Sequence, residues 1–286
     1  MGEVHVRADR LARGWSVEID SRIETESSLI AFGRRGTEQV VLKVVKRPGD
    51  EWRSGDVVSA FGGHGVVRAL EYEDGAVLLE RIVPGTSLVD LTRRGHDQAA
   101  TEILADLIAT MAPNAAPPWC PAVRDWGRGF ARYAGRGDSQ IPASLVARAS
   151  DLFAELCETQ GPTRLLHGDL QHYNVLRDDR RGWLAVDPKG VVGEVEYEMG
   201  ALLRNPVELP DILTNPAIIE RRIDAVSRRL GLDAARVLRW AFAQAVLSAI
   251  WMVEDGHAIG EAVRIAQMLG DGGPATGDGR RATGDG

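Results

Sequence analysis

The sequence predicts an α+β protein built as two lobes, a small β-rich N-terminal lobe and a larger, mainly helical C-terminal lobe. Strand-like runs lie early in the chain, since residues 40–45 are mostly β-branched and residues 76–83 are mostly apolar. The second run leads into Pro84-Gly85, a breaker typical of a lobe boundary. Helical periodicity follows in three segments: 97–111, 144–158 and 233–256.

The composition agrees with this division. With 286 residues, 44% apolar and 26% charged, the chain is large enough to bury a sizeable core in each of two lobes. We place the lobes at residues 1–82 and 83–270. Residues 271–286 repeat Ala-Thr-Gly-Asp-Gly and carry no bulky apolar side chain, which predicts a disordered tail.

Charge, cysteines and the N-terminus narrow the compartment and the partners. The net charge of -7 argues against nucleic acid as a partner and suits a cationic small molecule. Cys120 and Cys157 lack metal-type spacing, which indicates a reduced compartment. The first twenty residues have no apolar signal core, and no run appears long enough to span a bilayer. We therefore expect a cytoplasmic monomer with no membrane partner.

The segment 167–176, together with Asp187, carries the clearest chemistry. Asp169 is followed by Asn174 five residues later and by Asp187 at the end of the next apolar run. Phosphoryl transfer needs a carboxylate that orients the attacking hydroxyl and accepts its proton, and oxygen ligands for magnesium. Asp169 suits the first task, while Asn174 and Asp187 suit the second.

The spacing of the two predicted metal ligands has a geometric basis. Residues 175–177 and 183–186 read as short strands around a turn-like segment, which predicts a β-hairpin. In an antiparallel hairpin the start of one strand lies beside the end of the other. Asn174 and Asp187 should therefore meet.

These motifs resemble a known family. His167-Gly168-Asp169, with Asn174 and Asp187-Pro188, is similar to the catalytic signature of the aminoglycoside phosphotransferase and choline kinase superfamily, whose fold is protein-kinase-like. Residues 182–194 resemble more narrowly the branch of streptomycin 6-kinases and hydroxyurea kinases. The resemblance implies a bilobal kinase-like fold, ATP or GTP as phosphoryl donor, and Mg²⁺. Two departures are Asp187-Pro188-Lys189 in place of the Asp-Phe-Gly of protein kinases, and Gln171 where many relatives have His.

The resemblance also implies nucleotide-binding residues in the N-terminal lobe. Lys43 would pair with the α and β phosphates, as the strand lysine of kinases does. We select Glu51 as its acidic partner, on a helix predicted over 50–61, although the helix dipole alone also favours an acid there. Ser27 and Ser28 would donate to phosphate oxygens or would only punctuate a strand turn.

The apolar run 76–83 corresponds to the hinge of kinase-like folds, which reads the edge of adenine with its backbone. Glu80, Arg81 and Ile82 are therefore expected to bind the nucleotide through main-chain atoms. Identity of their side chains is expected to matter little.

Substrate residues are implied near the end of the long C-terminal helix. In relatives this helix end lines the antibiotic pocket, so Trp251, Glu254 and Asp255 are expected to recognise guanidinium or amine groups. The alternative is two solvated acids on a frayed helix end. The irregular stretch 112–142 would cover the substrate.

The acids of segment 194–198 follow the predicted metal ligand Asp187. Glu194 is selected as a further substrate residue, because the segment would form a second anionic wall. An exposed extended segment is the favoured interpretation for Glu196 and Glu198. His167 is expected to support the loop without transferring a proton.

The leading hypothesis is an O-phosphotransferase that inactivates a cationic antibiotic, with streptomycin as first substrate and its 6-hydroxyl as acceptor. Hydroxyurea or a tuberactinomycin of the viomycin and capreomycin type is the alternative substrate. A non-catalytic nucleotide-binding module is disfavoured, because it would not need Lys43, Asp169, Asn174 and Asp187 together. A protein kinase is disfavoured by the lack of Asp-Phe-Gly and Ala-Pro-Glu motifs.

Overall fold

A computed structural model describes residues 2–271 of the chain. Its strands are β1 (Glu18–Glu24), β2 (Ser28–Arg35), β3 (Glu38–Val45), β4 (Ala69–Glu73), β5 (Ala76–Glu80), β6 (Pro84–Ser87), β7 (Arg164–Leu166), β8 (Val175–Asp178), β9 (Gly182–Ala185) and β10 (Val191–Gly193). Its helices are α1 (Glu3–Gly14), α2 (Ser54–Ala60), α3 (Val89–Arg93), α4 (Asp97–Thr110), α5 (Val123–Trp126), α6 (Arg128–Gly135), α7 (Ala143–Glu158), α8 (Val195–Leu203), α9 (Pro210–Leu213), α10 (Pro216–Leu230), α11 (Ala234–Glu254) and α12 (Gly260–Gly270).

The N-terminal part is a five-stranded antiparallel sheet in the order β1-β2-β3-β5-β4. Alternation along the central strand β3 buries Val40, Leu42 and Val44 against α1. Lys43 therefore points to the opposite face of the sheet, toward the cleft between the two parts of the molecule. Helix α1, which was not predicted, covers the buried face with Leu11 and its neighbouring alanines.

The C-terminal part is mainly helical and is organised around α11. This helix packs against α7, α8 and α12, and its Trp240 is fully buried between Tyr197 and Phe153. By length and composition α11 would also pass as a membrane span, contrary to the expectation that no such run exists. Its apolar side chains are largely buried inside the lobe, which is how the core helix of a globular protein behaves.

Most predicted elements are present, and three differ. The long periodic segments form α4, α7 and α11, and the stretch 112–142 contains α5 and α6. The helix predicted from residue 50 begins only at Ser54. Segment 194–198 is the start of α8 and is not extended, because its apolar residues face the core with a helical period.

The hinge region and the tail complete the comparison. The predicted strand 76–83 stops at Glu80, and residues 84–87 join a separate sheet with β8 and β9. This change of sheet lies at the proposed lobe boundary after residue 82. The predicted disordered tail lies, from residue 272 onward, outside the described residues.

Candidate active site

The predicted catalytic loop, residues 167–174, begins where β7 ends, at His167-Gly168-Asp169. The buried imidazole of His167 lies 3.0 Å from the Val186 carbonyl oxygen, and its other nitrogen accepts from the Asp169 amide at 3.3 Å. Burial lowers the pKa of His167 to about 4, so the ring is neutral near pH 7. This geometry fits the expected supporting role of His167.

Glu198 of α8 holds the same loop from below. Its buried carboxylate accepts from the amides of Gly168 at 3.0 Å and Leu170 at 3.3 Å. Burial raises the pKa of Glu198 to about 7, while these backbone hydrogen bonds act in the opposite direction. The prediction of an exposed Glu198 is wrong, because α8 turns this side chain under the catalytic loop.

Asp169 and Asn174 are in direct contact. The Asn174 amide donates to the Asp169 carbonyl at 2.9 Å and to its Oδ2 at 3.1 Å, so its own oxygen remains available. Burial raises the pKa of Asp169, and the Arg204 guanidinium 3.9 Å away acts to lower it. The carboxylate is partly exposed and can reach an acceptor hydroxyl.

The predicted hairpin is present as β8 and β9. Val175 pairs with Ala185, and the Val186 amide donates to the Asn174 carbonyl at 2.9 Å. Asn174 and Asp187 consequently line the same cavity, as predicted. Asp187 has a φ of 59°, in the left-handed region that residues other than glycine seldom adopt and that is common at functional sites.

The charged groups around Asp187 form a compact network. Lys43 lies 3.0 Å from Glu51 and 2.5 Å from Asp187, and Lys189 lies 2.5 Å from Glu51. The predicted pairing of Lys43 with Glu51 is present, although Glu51 lies in the turn before α2 and not on the helix. Burial acts to raise the pKa of Asp187, but Lys43 and Lys189 outweigh it, so its pKa is lowered.

The residues present suit a magnesium ion. Within residues 2–271 no group of three histidine, cysteine or acidic side chains converges in the manner of an all-protein metal site. One carboxylate at Asp187 and one amide oxygen at Asn174 instead offer the few hard donors that magnesium needs beside phosphates and water. When bound, such an ion would screen the negative charge of the nucleotide phosphates.

A cavity of about 590 Å³ lies between the sheet and the C-terminal part, bordered by Lys43, Asn174 and Asp187. Ser27 and Ser28 line it near the β1–β2 turn. The remaining wall is largely apolar and includes Ile30, Phe32, Val41, Val58, Val67, Val77, Leu79 and Leu176. An apolar slot with charged groups at one end suits a nucleotide.

The hinge forms one side of this cavity. The amides of Glu80 and Arg81 donate to the carbonyls of Arg68 and Gln39. The Ile82 amide has no hydrogen-bond partner among residues 2–271, which leaves it free to bind an adenine edge. Of the predicted hinge residues, Ile82 therefore has the best main-chain donor.

A larger cavity of about 950 Å³ lies on the other side of Asp169. Four tryptophans line it: Trp52, Trp119, Trp126 and Trp251. Trp126 and Trp251 pack edge to face with ring centroids 5.7 Å apart, and the Trp119 indole donates to Asp56 at 3.0 Å. These contacts hold Trp119, Trp126 and Trp251 in place as an aromatic wall.

The predicted substrate residues Trp251, Glu254 and Asp255 all line this cavity. Glu254 is not a free carboxylate, since Arg132 and Arg136 of α6 lie 3.3 and 3.4 Å from it. Asp255 forms no ion pair with any residue that the structure describes.

Glu194 lies elsewhere. Its buried carboxylate lies 2.6 Å from Arg236, accepts from the Gly161 amide at 2.8 Å, and also accepts from the Trp240 indole. It does not line the larger cavity. The predicted substrate role of Glu194 is wrong, because the residue before α8 faces the junction with α7 and α11.

Several residues of the site had no place in the sequence analysis. Lys189 and Arg204 line the larger cavity beside Asp169, and Asp50 does so from the loop before α2. Lys189 had a signal, since it belongs to the departure from Asp-Phe-Gly. Arg204 and Asp50 had none, because only the folded chain brings them near Asp169.

Comparison with known proteins gives a consistent family. A model of the aminoglycoside/hydroxyurea antibiotic resistance kinases matches residues 13–256. A streptomycin 3''-kinase from Klebsiella pneumoniae is 34% identical over 82% of this chain and 87% of the relative. A streptomycin 6-kinase from Streptomyces glaucescens is 31% identical over 73% and 70%, and a hydroxyurea phosphotransferase from Kitasatospora aureofaciens is 30% identical over 82% and 72%.

Solved structures agree on the fold. A choline kinase from Streptococcus pneumoniae superposes with a TM-score of 0.61 at 14% identity, covering 94% of this chain and 99% of the other. A thermostable mutant of an aminoglycoside phosphotransferase, in ternary complex with AMP-PNP and hygromycin B, gives 0.64 at 19% identity, covering 92% and 96%. The bilobal fold that was expected from the resemblance is therefore confirmed.

Proposed function

Because this chain belongs to the aminoglycoside/hydroxyurea antibiotic resistance kinase family, and is therefore a phosphotransferase, we propose that it phosphorylates streptomycin with ATP. The acceptor we put first is the 6-hydroxyl group. The proposal includes a cytoplasmic, monomeric enzyme that inactivates the antibiotic.

The observation that carries this proposal is the position of Asp169 on the larger cavity, in hydrogen-bond contact with Asn174 of the smaller one. Asp169 borders the larger cavity, and its hydrogen-bond partner Asn174 borders the smaller one with Asp187. A donor nucleotide in the smaller cavity and an alcohol in the larger one would meet at this carboxylate. Asp169 would orient the hydroxyl and accept its proton.

The size of the larger cavity favours a multi-ring antibiotic over hydroxyurea. At about 950 Å³ the cavity is at the upper end of the range for drug-sized ligands. Hydroxyurea would fill a small fraction of it and leave the tryptophan wall without contact. Streptomycin, with three linked rings, would reach both Asp169 and the end of α11.

The lining also suits a cationic substrate. Asp50 and Asp255 are exposed and form no ion pair within residues 2–271, so each can bind a guanidinium group. The faces of the tryptophans add cation–π contacts, as Arg53 does now at 5.6 Å from the Trp119 ring centre. Streptomycin carries two guanidinium groups on the ring that bears its 6-hydroxyl.

A second acceptor position is favoured by one comparison. The 3''-kinase from Klebsiella pneumoniae is more similar to this chain than the 6-kinase from Streptomyces glaucescens is. The 3''-hydroxyl of streptomycin lies beside a methylamino group, so the same unpaired acids would also suit it.

Purified protein with ATP and magnesium should be assayed for ADP release with streptomycin, hydroxyurea, a tuberactinomycin and no acceptor. We expect streptomycin to give the highest kcat/KM, and NMR of the product to place the phosphate on the 6-hydroxyl. Phosphate on the 3''-hydroxyl would correct the regiochemistry alone. Equal ADP release with and without every acceptor would refute the proposed substrate, and a parallel assay with GTP defines the donor.

A further inference from the structure

We propose that Lys189 is a further catalytic residue. Its ammonium binds the phosphoryl group during the transfer, on the side where the acceptor lies. The inference rests on the proposed function in one respect, namely that the γ-phosphoryl group passes from ATP to an alcohol beside Asp169. It does not depend on which antibiotic supplies that alcohol.

Lys189 is fixed on the larger cavity, next to Asp187 of the smaller one. Its backbone amide donates to the His167 carbonyl at 2.8 Å, and the Gly190 amide donates to the same oxygen at 3.1 Å. These hydrogen bonds hold the segment against the catalytic loop. The Lys189 ammonium lies 3.9 Å from Asp187, while its side chain, with Asp169, lines the larger cavity, which we call the acceptor cavity.

The catalytic loop supplies no cation of its own near the base. Gln171, two residues after Asp169, turns its side-chain oxygen to the Tyr173 amide at 2.9 Å and is buried. On the nucleotide side, Lys43 is held by Glu51 and Asp187. Lys189 and Arg204 are the cations beside Asp169 on the larger cavity, and Lys189 is the one of the two that also lies near Asp187, at 3.9 Å.

The contacts of the Lys189 ammonium leave it able to bind phosphate. Glu51 at 2.5 Å occupies one of the three ammonium donors, and the side chain remains about one-third exposed. A further donor can therefore reach an oxygen of the phosphoryl group without release of Glu51.

The chemical step gives this ammonium a defined task. The bond between the γ-phosphorus and the β–γ bridging oxygen breaks, a bond forms to the acceptor oxygen, and the acceptor proton passes to Asp169. Negative charge is spread over the three other oxygens of the phosphoryl group during transfer. A fixed cation at this position stabilises that charge more in the transition state than in bound ATP.

The test uses Lys189→Met and Lys189→Arg, with Arg264→Met as a control that removes an exposed cation on α12. For Lys189→Met we expect kcat to fall about 10²- to 10³-fold, with both KM values within about threefold of wild type. Lys189→Arg should retain a larger part of kcat, because a cation remains. Arg264→Met should leave kcat unchanged.

Binding provides a readout that does not depend on turnover. Magnesium, ADP and tetrafluoroaluminate together mimic the transition state of phosphoryl transfer. The affinity of the protein for this mixture should fall about 100-fold in Lys189→Met, while its affinity for ADP alone stays within about threefold. An equal loss for both ligands would overturn the proposal, because Lys189 would then only hold Glu51 in place. The same conclusion would follow if Lys189→Met caused no further loss of kcat in a Glu51→Gln background.

Failure of the proposed function would be recognised separately. It would show as wild-type protein that does not phosphorylate streptomycin, whereas the Lys189 comparison can use any acceptor that the wild type accepts. Unchanged kcat in Lys189→Met with such an acceptor would refute the catalytic role alone.

Discussion

The two cavities, one lined by Asp169 and the other by its hydrogen-bond partner Asn174, are built in different ways. The smaller one takes its charged groups from regular pairing, since β3 carries Lys43 and the β8–β9 hairpin brings Asn174 beside Asp187. The larger one is assembled from distant segments, including the loop before α2, the α5 region and the end of α11. Strand register fixes the first kind of site, and tertiary packing fixes the second.

Their electrostatics also differ. Lys43 and Asp187 form an ion pair in the smaller cavity, and Lys43 also contacts Glu51, whereas Asp50 and Asp255 on the larger cavity form no ion pair among the described residues. The paired set suits chemistry that must stay constant. The unpaired acids suit recognition, which changes with the antibiotic.

The largest effect is expected at Asp169. Asp169→Ala should lower kcat about 10³-fold, because no other group can accept the proton of the hydroxyl. Binding of ADP and of streptomycin should stay within about threefold, measured by calorimetry. A large loss of affinity for ADP or for streptomycin would show that Asp169 contributes to binding as well as to proton transfer.

The next effect concerns Glu198, which supports the loop that carries Asp169. Glu198→Ala leaves the amides of Gly168 and Leu170 without their acceptor, so the free energy of unfolding should fall by about 3 kcal/mol. Glu198→Gln keeps an acceptor oxygen and should lose less. Urea unfolding of both variants measures the difference.

The stability that Glu198 contributes should also depend on pH. Since burial raises the pKa of Glu198 to about 7 from 4.5, the folded protein keeps a proton that the unfolded chain releases. Stability from this group is therefore present at low pH and is lost as the pH rises from 4.5 through 7. The stability of Glu198→Gln relative to wild type should increase over that range, and a flat difference would contradict the shift.

A smaller effect should be confined to the smaller cavity, where we propose that the nucleotide binds. Lys43→Met removes the charged partner of the phosphates, so KM for ATP should rise about tenfold while KM for streptomycin is unchanged. Steady-state kinetics with each substrate varied in turn provides the measurement. A matched rise in both KM values would mean that the two cavities are coupled through Glu51.

The smallest effect should be confined to the acceptor cavity. Asp255→Asn removes one exposed carboxylate, so KM for streptomycin should rise two- to fivefold with KM for ATP unchanged. The control is Asp224→Asn on α10, an exposed acid away from both cavities and without an ion pair in the described chain. Similar behaviour of the two variants would leave Asp255 without a role in recognition.

The sequence by itself determined which groups are proposed to carry the phosphoryl transfer. Phosphoryl transfer demands two carboxylates and an amide oxygen, which made it possible to identify Asp169, Asn174 and Asp187. The predicted hairpin places Asn174, before its first strand, beside Asp187, after its second. Lys43 followed from the resemblance.

Only the tertiary structure decided where the remaining acids lie. Glu194 and Glu198 follow Asp187 in the same acidic run, yet one is sealed against Arg236 and the other supports the catalytic loop. Glu254 has the predicted position but is shared with two arginines of α6. Local patterns cannot predict such partners, because burial and pairing of a charge depend on segments that are distant in the chain.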